Sequence, residues 1–215
     1  MENIINAVAK EKLIAIVRGV QRDKLIPLAE TMYKGGIRLL EVTYCANGKV
    51  SDEETADNIK MLCDHFGDRM YIGAGTVIKE SQVELTHKAG GKFIISPDTN
   101  TAVIKLTKEL GLISMPGAFT PTEIQTAHNA GADFVKLFPA VNCGPDYFKA
   151  VSAPLSHIKF LAVGGIDCDN MSDYLKVGVC GFGIGSNIIN KKMLDNDDYE
   201  GLAELAAKYV KAINN

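Results

Sequence analysis

A (β/α)8 barrel, an α/β fold, is predicted by two features of the 215-residue sequence. Short apolar runs alternate with amphipathic stretches along the chain, and eight such runs can be counted. Strict alternation favours a parallel sheet with right-handed crossovers. An open doubly wound sheet is the alternative. The even spacing of the units, and the lack of a Gly-x-Gly-x-x-Gly after the first run, count against it.

Taken in order, the segment Glu2–Lys10 carries a short amphipathic pattern and reads as an extra helix across the barrel bottom. The strands are expected at Leu13–Arg18, Leu39–Thr43, Tyr71–Thr76, Phe93–Pro97, Leu112–Gly117, Phe134–Pro139, Lys159–Gly165 and Gly181–Ile188. Each is a short apolar run bounded by turn residues, the pattern of a strand buried on both faces. Helices are expected between them at Lys24–Lys34, Glu53–Phe66, Glu80–Ala89, Thr101–Leu110, Thr122–Ala130, Tyr147–Ser152 and Met171–Val177. A last helix, about Asp198–Ile213, follows the eighth strand. Lys34-Gly-Gly-Ile37, Ala89-Gly-Gly-Lys92, Leu110-Gly-Leu112, Ala130-Gly-Ala-Asp133 and Val177-Gly-Val179 each close a helix before a strand. Glycine accepts the left-handed backbone of a helix C-terminus cheaply, so these phrases mark the α-to-β turns. The opposite ends of the strands are then the catalytic face of such a barrel.

The length suits a single barrel domain, residues 1–215, with no linker or low-complexity segment dividing it. A net charge of −3 with both signs interspersed offers no footprint for nucleic acid and no basic membrane patch. No run of about 18 or more apolar residues predicts a membrane span. The N-terminus lacks the basic head and apolar core of a signal peptide. The five cysteines are scattered, without a Cys-x-x-Cys pair, which fits a reducing cytoplasm and argues against a structural zinc site.

Lys136 stands in the middle of Phe134-Val-Lys-Leu-Phe-Pro139. Burial there would push its pKa down towards the neutral amine, a nucleophile for carbonyls and the origin of Schiff-base lysines. The plainer alternative is a lysine at a strand end whose charge is paired or solvated. Glu41, in Leu39-Leu-Glu-Val-Thr43, is a second charge inside an apolar strand. Strand alternation puts Leu39, Glu41 and Thr43 on one face, and Phe134, Lys136 and Phe138 on one face. If both faces point inward, amine and carboxylate meet near the barrel top. A partly desolvated glutamate suits proton transfer at neutral pH. A structural Lys–Glu ion pair is the alternative, although such a pair is a weak stability device.

Two further signals lie at strand ends. Val163-Gly-Gly-Ile166 and Gly183-Ile-Gly-Ser-Asn187 end strands seven and eight, where barrels often bind phosphate. Glycines admit backbone N–H groups to an anion, and Ser186 adds a hydroxyl. Arg18, ending strand one, can fork onto a carboxylate or phosphate, with Thr76 placed to bond the same anion. None of the four histidines (His65, His87, His128, His157) falls at a strand end, so neither a histidine base nor a metal site is expected there. Carbonyl, carboxylate and remote phosphate together describe a phosphorylated 2-keto acid. A sugar-phosphate epimerase or isomerase, and a non-catalytic phospho-ligand sensor, are the rival readings.

These motifs resemble the 2-keto-3-deoxy-6-phosphogluconate (KDPG) / 4-hydroxy-2-oxoglutarate (KHG) aldolases. The likeness runs from about Leu13 to Val210. It is carried by Leu40-Glu-Val-Thr43, Gly73-Ala-Gly-Thr76, Ile95-Ser-Pro97, Met115-Pro-Gly117, Thr120-Pro-Thr-Glu123, Lys136-Leu-Phe-Pro139, Gly164-Gly-Ile166 and Gly185-Ser186. The resemblance implies a class I lyase with Lys136 as the Schiff-base lysine and Glu41 as general acid and base. It implies that Thr76, Pro97 and Phe138 shape the pyruvate pocket, that Gly164, Gly165 and Ser186 form the phosphate end, that no cofactor is needed, and that the protein is a homotrimer. Two departures stand out. Cys45 occupies the position where gluconate-type members often carry an arginine, which Arg18 could replace. Ala162-Val-Gly-Gly165 replaces their usual Pro-Thr-Gly-Gly. Members acting on the 6-phosphogalactonate epimer resemble this sequence in both respects, so the substrate epimer stays open.

Overall fold

The computed structural model describes residues 2–214. Its strands are β1 (Leu13–Val17), β2 (Leu39–Thr43), β3 (Tyr71–Gly75), β4 (Phe93–Ile95), β5 (Ile113–Met115), β6 (Gly117–Ala118), β7 (Val135–Leu137), β8 (Phe160–Val163) and β9 (Gly181–Ile184). Its helices are α1 (Glu2–Glu11), α2 (Arg22–Lys34), α3 (Asp52–Phe66), α4 (Glu80–Lys88), α5 (Thr101–Glu109), α6 (Pro121–Asn129), α7 (Ala140–Ser152), α8 (Met171–Lys176), α9 (Lys191–Asp195) and α10 (Tyr199–Ile213).

The nine strands pair in parallel in the order β5-β4-β3-β2-β1-β9-β8-β7-β6. The ends of that list are one chain segment. Pro116, which has no N–H to give a ladder, separates β5 from β6. On one side Ser96 N–H donates to the Met115 carbonyl at 3.3 Å, and on the other Lys136 N–H donates to the Pro116 carbonyl at 2.9 Å. Residues 113–118 therefore close the sheet into a (β/α)8 barrel whose fifth stave is split. The single strand expected at Leu112–Gly117 is corrected to that pair.

Two apolar layers hold the barrel. Leu13, Ala15, Val17, Leu40, Val42, Ile72, Ala74, Val135, Leu137 and Phe182 point outward against the helices. Ile14, Leu39, Phe93, Ile95, Ile113, Met115, Phe134 and Leu161 fill the interior, and Val8 of α1 packs up against them. Fully burying each large side chain is worth about 1.5–3 kcal/mol. Helix α1 thus plugs the N-terminal end of the strands, as the sequence pattern anticipates. At the α-to-β turns Gly36, Gly90, Gly111, Gly131 and Gly178 all take φ between 74° and 105°, the left-handed region where a side chain is strained.

Several strands stop earlier than expected. Arg18, Thr76, Pro97, Phe138, Gly164 and Gly185 lie in loops just beyond the C-terminal ends of their strands. Helix α7 starts at Ala140, not Tyr147, and is two helical pieces joined at Gly144 (φ 71°, ψ 169°), with Pro145 opening the second. The one-turn helix α9 is absent from the sequence reading. Among the described residues, no helix is long and apolar enough to cross a membrane.

Candidate active site

Glu41 and Lys136 both point into the barrel. Register explains it: Glu41 stands between Ile16 of β1 and Gly73 of β3, and Lys136 between Gly117 of β6 and Leu161 of β8. Their strands are the second and sixth staves of the closed barrel, so the two side chains approach from opposite walls. Glu41 is 1% exposed and Lys136 6% exposed. Burial pushes the Glu41 carboxyl above its usual range, against the charges of Lys136 and Arg18, which pull it down. Burial likewise pushes the Lys136 amine below its usual range. Glu41 pulls it up, Arg18 pushes it further down, and Asp98 pulls it up.

Glu41 Oε2 is buried without a hydrogen-bond partner among the described residues. A buried acceptor in that state is expensive, and a carboxyl held there is ready to take or give a proton. Lys136 Nζ lies 4.9 Å from the centre of the Phe138 ring, which covers the amine from above the strand end. An amine under an aromatic lid, facing a buried carboxyl, can add to a carbonyl and exchange protons.

The loops beyond the strands supply the remaining groups. Arg18 Nη2 donates to Thr76 Oγ1 at 3.4 Å, joining the loops after β1 and β3. Thr76 has φ 55°, a conformation that β-branched residues rarely adopt. Such strain persists where the surroundings impose it, and it clusters at functional sites. Gly164 and Gly165 have φ 93° and 77°. A side chain on Gly165 would meet Val141, and one on Gly164 would come within 3.2 Å of the Phe138 ring.

A cavity of about 1040 Å³ opens at this end of the barrel. It brings together the residues that the sequence assigns to catalysis and substrate binding: Arg18, Glu41, Thr76, Pro97, Lys136, Phe138, Gly164, Gly165, Gly185 and Ser186 all line it. Val163 lines it too, whereas Cys45 does not; its thiol donates to Asn47 Oδ1 at 2.9 Å in the turn after β2. All four histidines lie away from the cavity, in the last turns of α3, α4 and α6 or in the connection before β8. Among the described residues, no group of three or more His, Cys, Asp and Glu side chains could hold a metal ion.

Sequence reasoning misses other residues of the wall, among them Gln21, Lys24 and Lys191. Their signal is positional: each follows the C-terminal end of β1 or β9, yet none interrupts an apolar run. Conversely, Thr120-Pro-Thr-Glu123 is a structural device. Thr120 accepts the Glu123 N–H at 3.4 Å, and the Glu123 carboxylate accepts the Thr120 N–H at 2.8 Å, a capping box at the start of α6.

Comparison with known proteins agrees with this geometry. A family model described as "Aldolase: KDPG and KHG aldolase" matches residues 4–205. The chain is 33% identical over 204 residues to a 2-dehydro-3-deoxy-6-phosphogalactonate aldolase of Escherichia coli (strain K12), covering 94% of this chain and 95% of that one. It is 29% identical over 216 residues to a 2-dehydro-3-deoxy-phosphogluconate aldolase of Haemophilus influenzae, covering 99% and 97%. A crystal structure of a KDPG aldolase from Legionella pneumophila, with pyruvate captured at low pH as a covalent carbinolamine intermediate, aligns with a TM-score of 0.85 at 28% identity, covering 94% of this chain and 96% of that one.

Proposed function

The chain belongs to the KDPG and KHG aldolase family and is an aldehyde-lyase, and from that premise we propose the reaction it catalyses and the residues that carry it. The reaction is cleavage of 2-keto-3-deoxy-6-phosphogluconate to pyruvate and D-glyceraldehyde 3-phosphate through a Schiff base; 4-hydroxy-2-oxoglutarate would give pyruvate and glyoxylate in the same way. The observation that carries this reading is the pair Lys136 and Glu41, both buried and facing one another at one cavity.

Neutral Lys136 attacks the C2 ketone. Glu41 delivers the proton that lets the carbinolamine lose water, leaving a protonated imine. Glu41, directly or through a water, then takes the proton of the C4 hydroxyl. The C3–C4 bond breaks, its electrons pass into the iminium, and the aldehyde leaves. The enamine takes a proton back at C3 from Glu41, and hydrolysis frees pyruvate and the amine.

Arg18 and Thr76 bind the keto-acid carboxylate, and Pro97 and Phe138 wall in the pyruvate carbons. Gly164, Gly165, Gly185 and Ser186 take the phosphate through backbone N–H groups and one hydroxyl. The same reading makes the enzyme a single barrel domain that works without metal or organic cofactor. It is a cytoplasmic homotrimer, the assembly typical of the family. The free state of all five cysteines is consistent with a reducing compartment, and exposed Ile78, Phe119 and Val141 offer apolar surface to a neighbouring copy.

A second reading is favoured by Val163, which lines the cavity where a threonine hydroxyl could have bonded the substrate. It makes the 6-phosphogalactonate epimer the substrate, as in the relative of 33% identity. Pyruvate release, coupled to lactate dehydrogenase, from both epimers at matched concentrations separates the two. A strong gluconate preference supports the first reading, a galactonate preference the second, and pyruvate from neither refutes both.

A further inference from the structure

We propose that Lys24, a residue outside every motif discussed above, is the positioning residue that makes the enzyme selective for a phosphorylated over an unphosphorylated keto acid. The inference rests on the aldolase reading and goes beyond it to a specific selectivity device. Lys24 lies in the first turn of α2 and lines the cavity. Its ammonium donates to the Leu194 carbonyl at 2.9 Å and to Asp197 Oδ1 at 2.8 Å, across 170 and 173 residues of sequence.

Topology explains the reach. β1 and β9 are neighbours in the barrel, so the element after each stands side by side at the same end. The element after β9 forms one wall of the cavity, where Gly185, Ser186, Asn187, Lys191, Leu194 and Asp195 line it. Helix α9 is one short turn of that wall, and helices so short are not stable by themselves. Lys24 fastens its C-terminal end. Asp197 receives the contact in a left-handed conformation (φ 54°), and the Tyr199 hydroxyl donates to the same carboxylate oxygen at 3.3 Å.

The chemistry fits a phosphate end. An ammonium has three N–H donors, and among the described residues two of them are bonded, to the Leu194 carbonyl and to Asp197. Asp197 keeps the amine above its ordinary value, so the charge persists at neutral pH. Lys24 therefore holds in place the wall that carries Ser186, with its ammonium paired to Asp197 and its side chain lining the same cavity. Arg18, bonded towards β3, serves the other end of the cavity. A substrate lacking the phosphate touches that end alone.

Lys24→Met and Lys24→Arg would be compared with wild type on the phosphorylated keto acid and on 4-hydroxy-2-oxoglutarate, with KM and kcat measured separately. For Lys24→Met, KM for the phosphorylated substrate is expected to rise roughly tenfold, several times more than KM for the unphosphorylated one, as loss of one charge-assisted contact implies. Lys24→Arg should recover most of the difference. Equal losses on both substrates, or no change in KM, would overturn the proposal. Failure of the aldolase reading looks different: wild type itself would release no pyruvate from either substrate.

Discussion

Gly75 of β3 gives Glu41 of β2 its place. The two side-chain positions point into the same corner of the barrel interior, and a methyl group on Gly75 would overlap Oε1 and Cδ of the Glu41 carboxyl. The absent side chain at 75 is the space in which the proton-transfer group sits.

Gly75→Ala should therefore act as a defect in proton transfer. The carboxyl must leave its corner, so exchange of the C3 protons of pyruvate, followed by NMR in D2O, is expected to fall at least about 100-fold, the scale of general acid–base catalysis. Lys136 lies on the opposite wall, and borohydride trapping of the pyruvate imine should survive better than exchange. Equal loss of both would mean that the alanine simply disrupts the barrel.

The buried pair should weaken the folded state near neutral pH. The Lys136 pKa is depressed on folding, so the stability associated with its neutral form is full above about 10.4 and is lost as pH falls through the folded-state value. The Glu41 pKa is raised, so its contribution is full below about 4.3 and is lost as pH rises through the folded-state value. At pH 7 both contributions are reduced. Replacing the two together, Glu41→Gln with Lys136→Met, should raise Tm at pH 7 by about 2–4 °C, equivalent to about 1 kcal/mol in a chain of this size. Calorimetry of the inactive double variant checks this; a lower Tm would show that the pair is a net stabiliser.

Val163→Thr adds a hydroxyl to the cavity wall beside Gly164. It should shift the ratio of kcat/KM values towards the gluconate epimer by about five- to tenfold, the worth of one hydrogen bond. An unchanged ratio would move recognition of C4 away from this position.

Much of the barrel is legible in the chain because its strands are apolar on both faces and its helices close on glycine. Glu41 and Lys136 stand out because each is a charge inside such a run. What is illegible has physical causes. Strand ends blur where Gly164-Gly165 and Gly185 continue an apolar run into a loop, since periodicity does not report where pairing stops. The break at Pro116 preserves the barrel through bonds to both neighbours, so the split stave looks continuous in sequence. Helix α9 and the first piece of α7 span too few residues to show a helical period. The left-handed φ of Thr76 and the contact of Lys24 with Leu194 and Asp197 arise only when distant segments meet.

The identity of the nucleophile is the claim on which the rest depends. The most direct measurement is reduction of the enzyme with borohydride in the presence of pyruvate, followed by peptide mass spectrometry. The expected result is a single N-(1-carboxyethyl)lysine at Lys136, absent when pyruvate is omitted and lost in Lys136→Ala together with turnover. An adduct on another lysine, or full cleavage activity in Lys136→Ala, would contradict the Schiff-base mechanism.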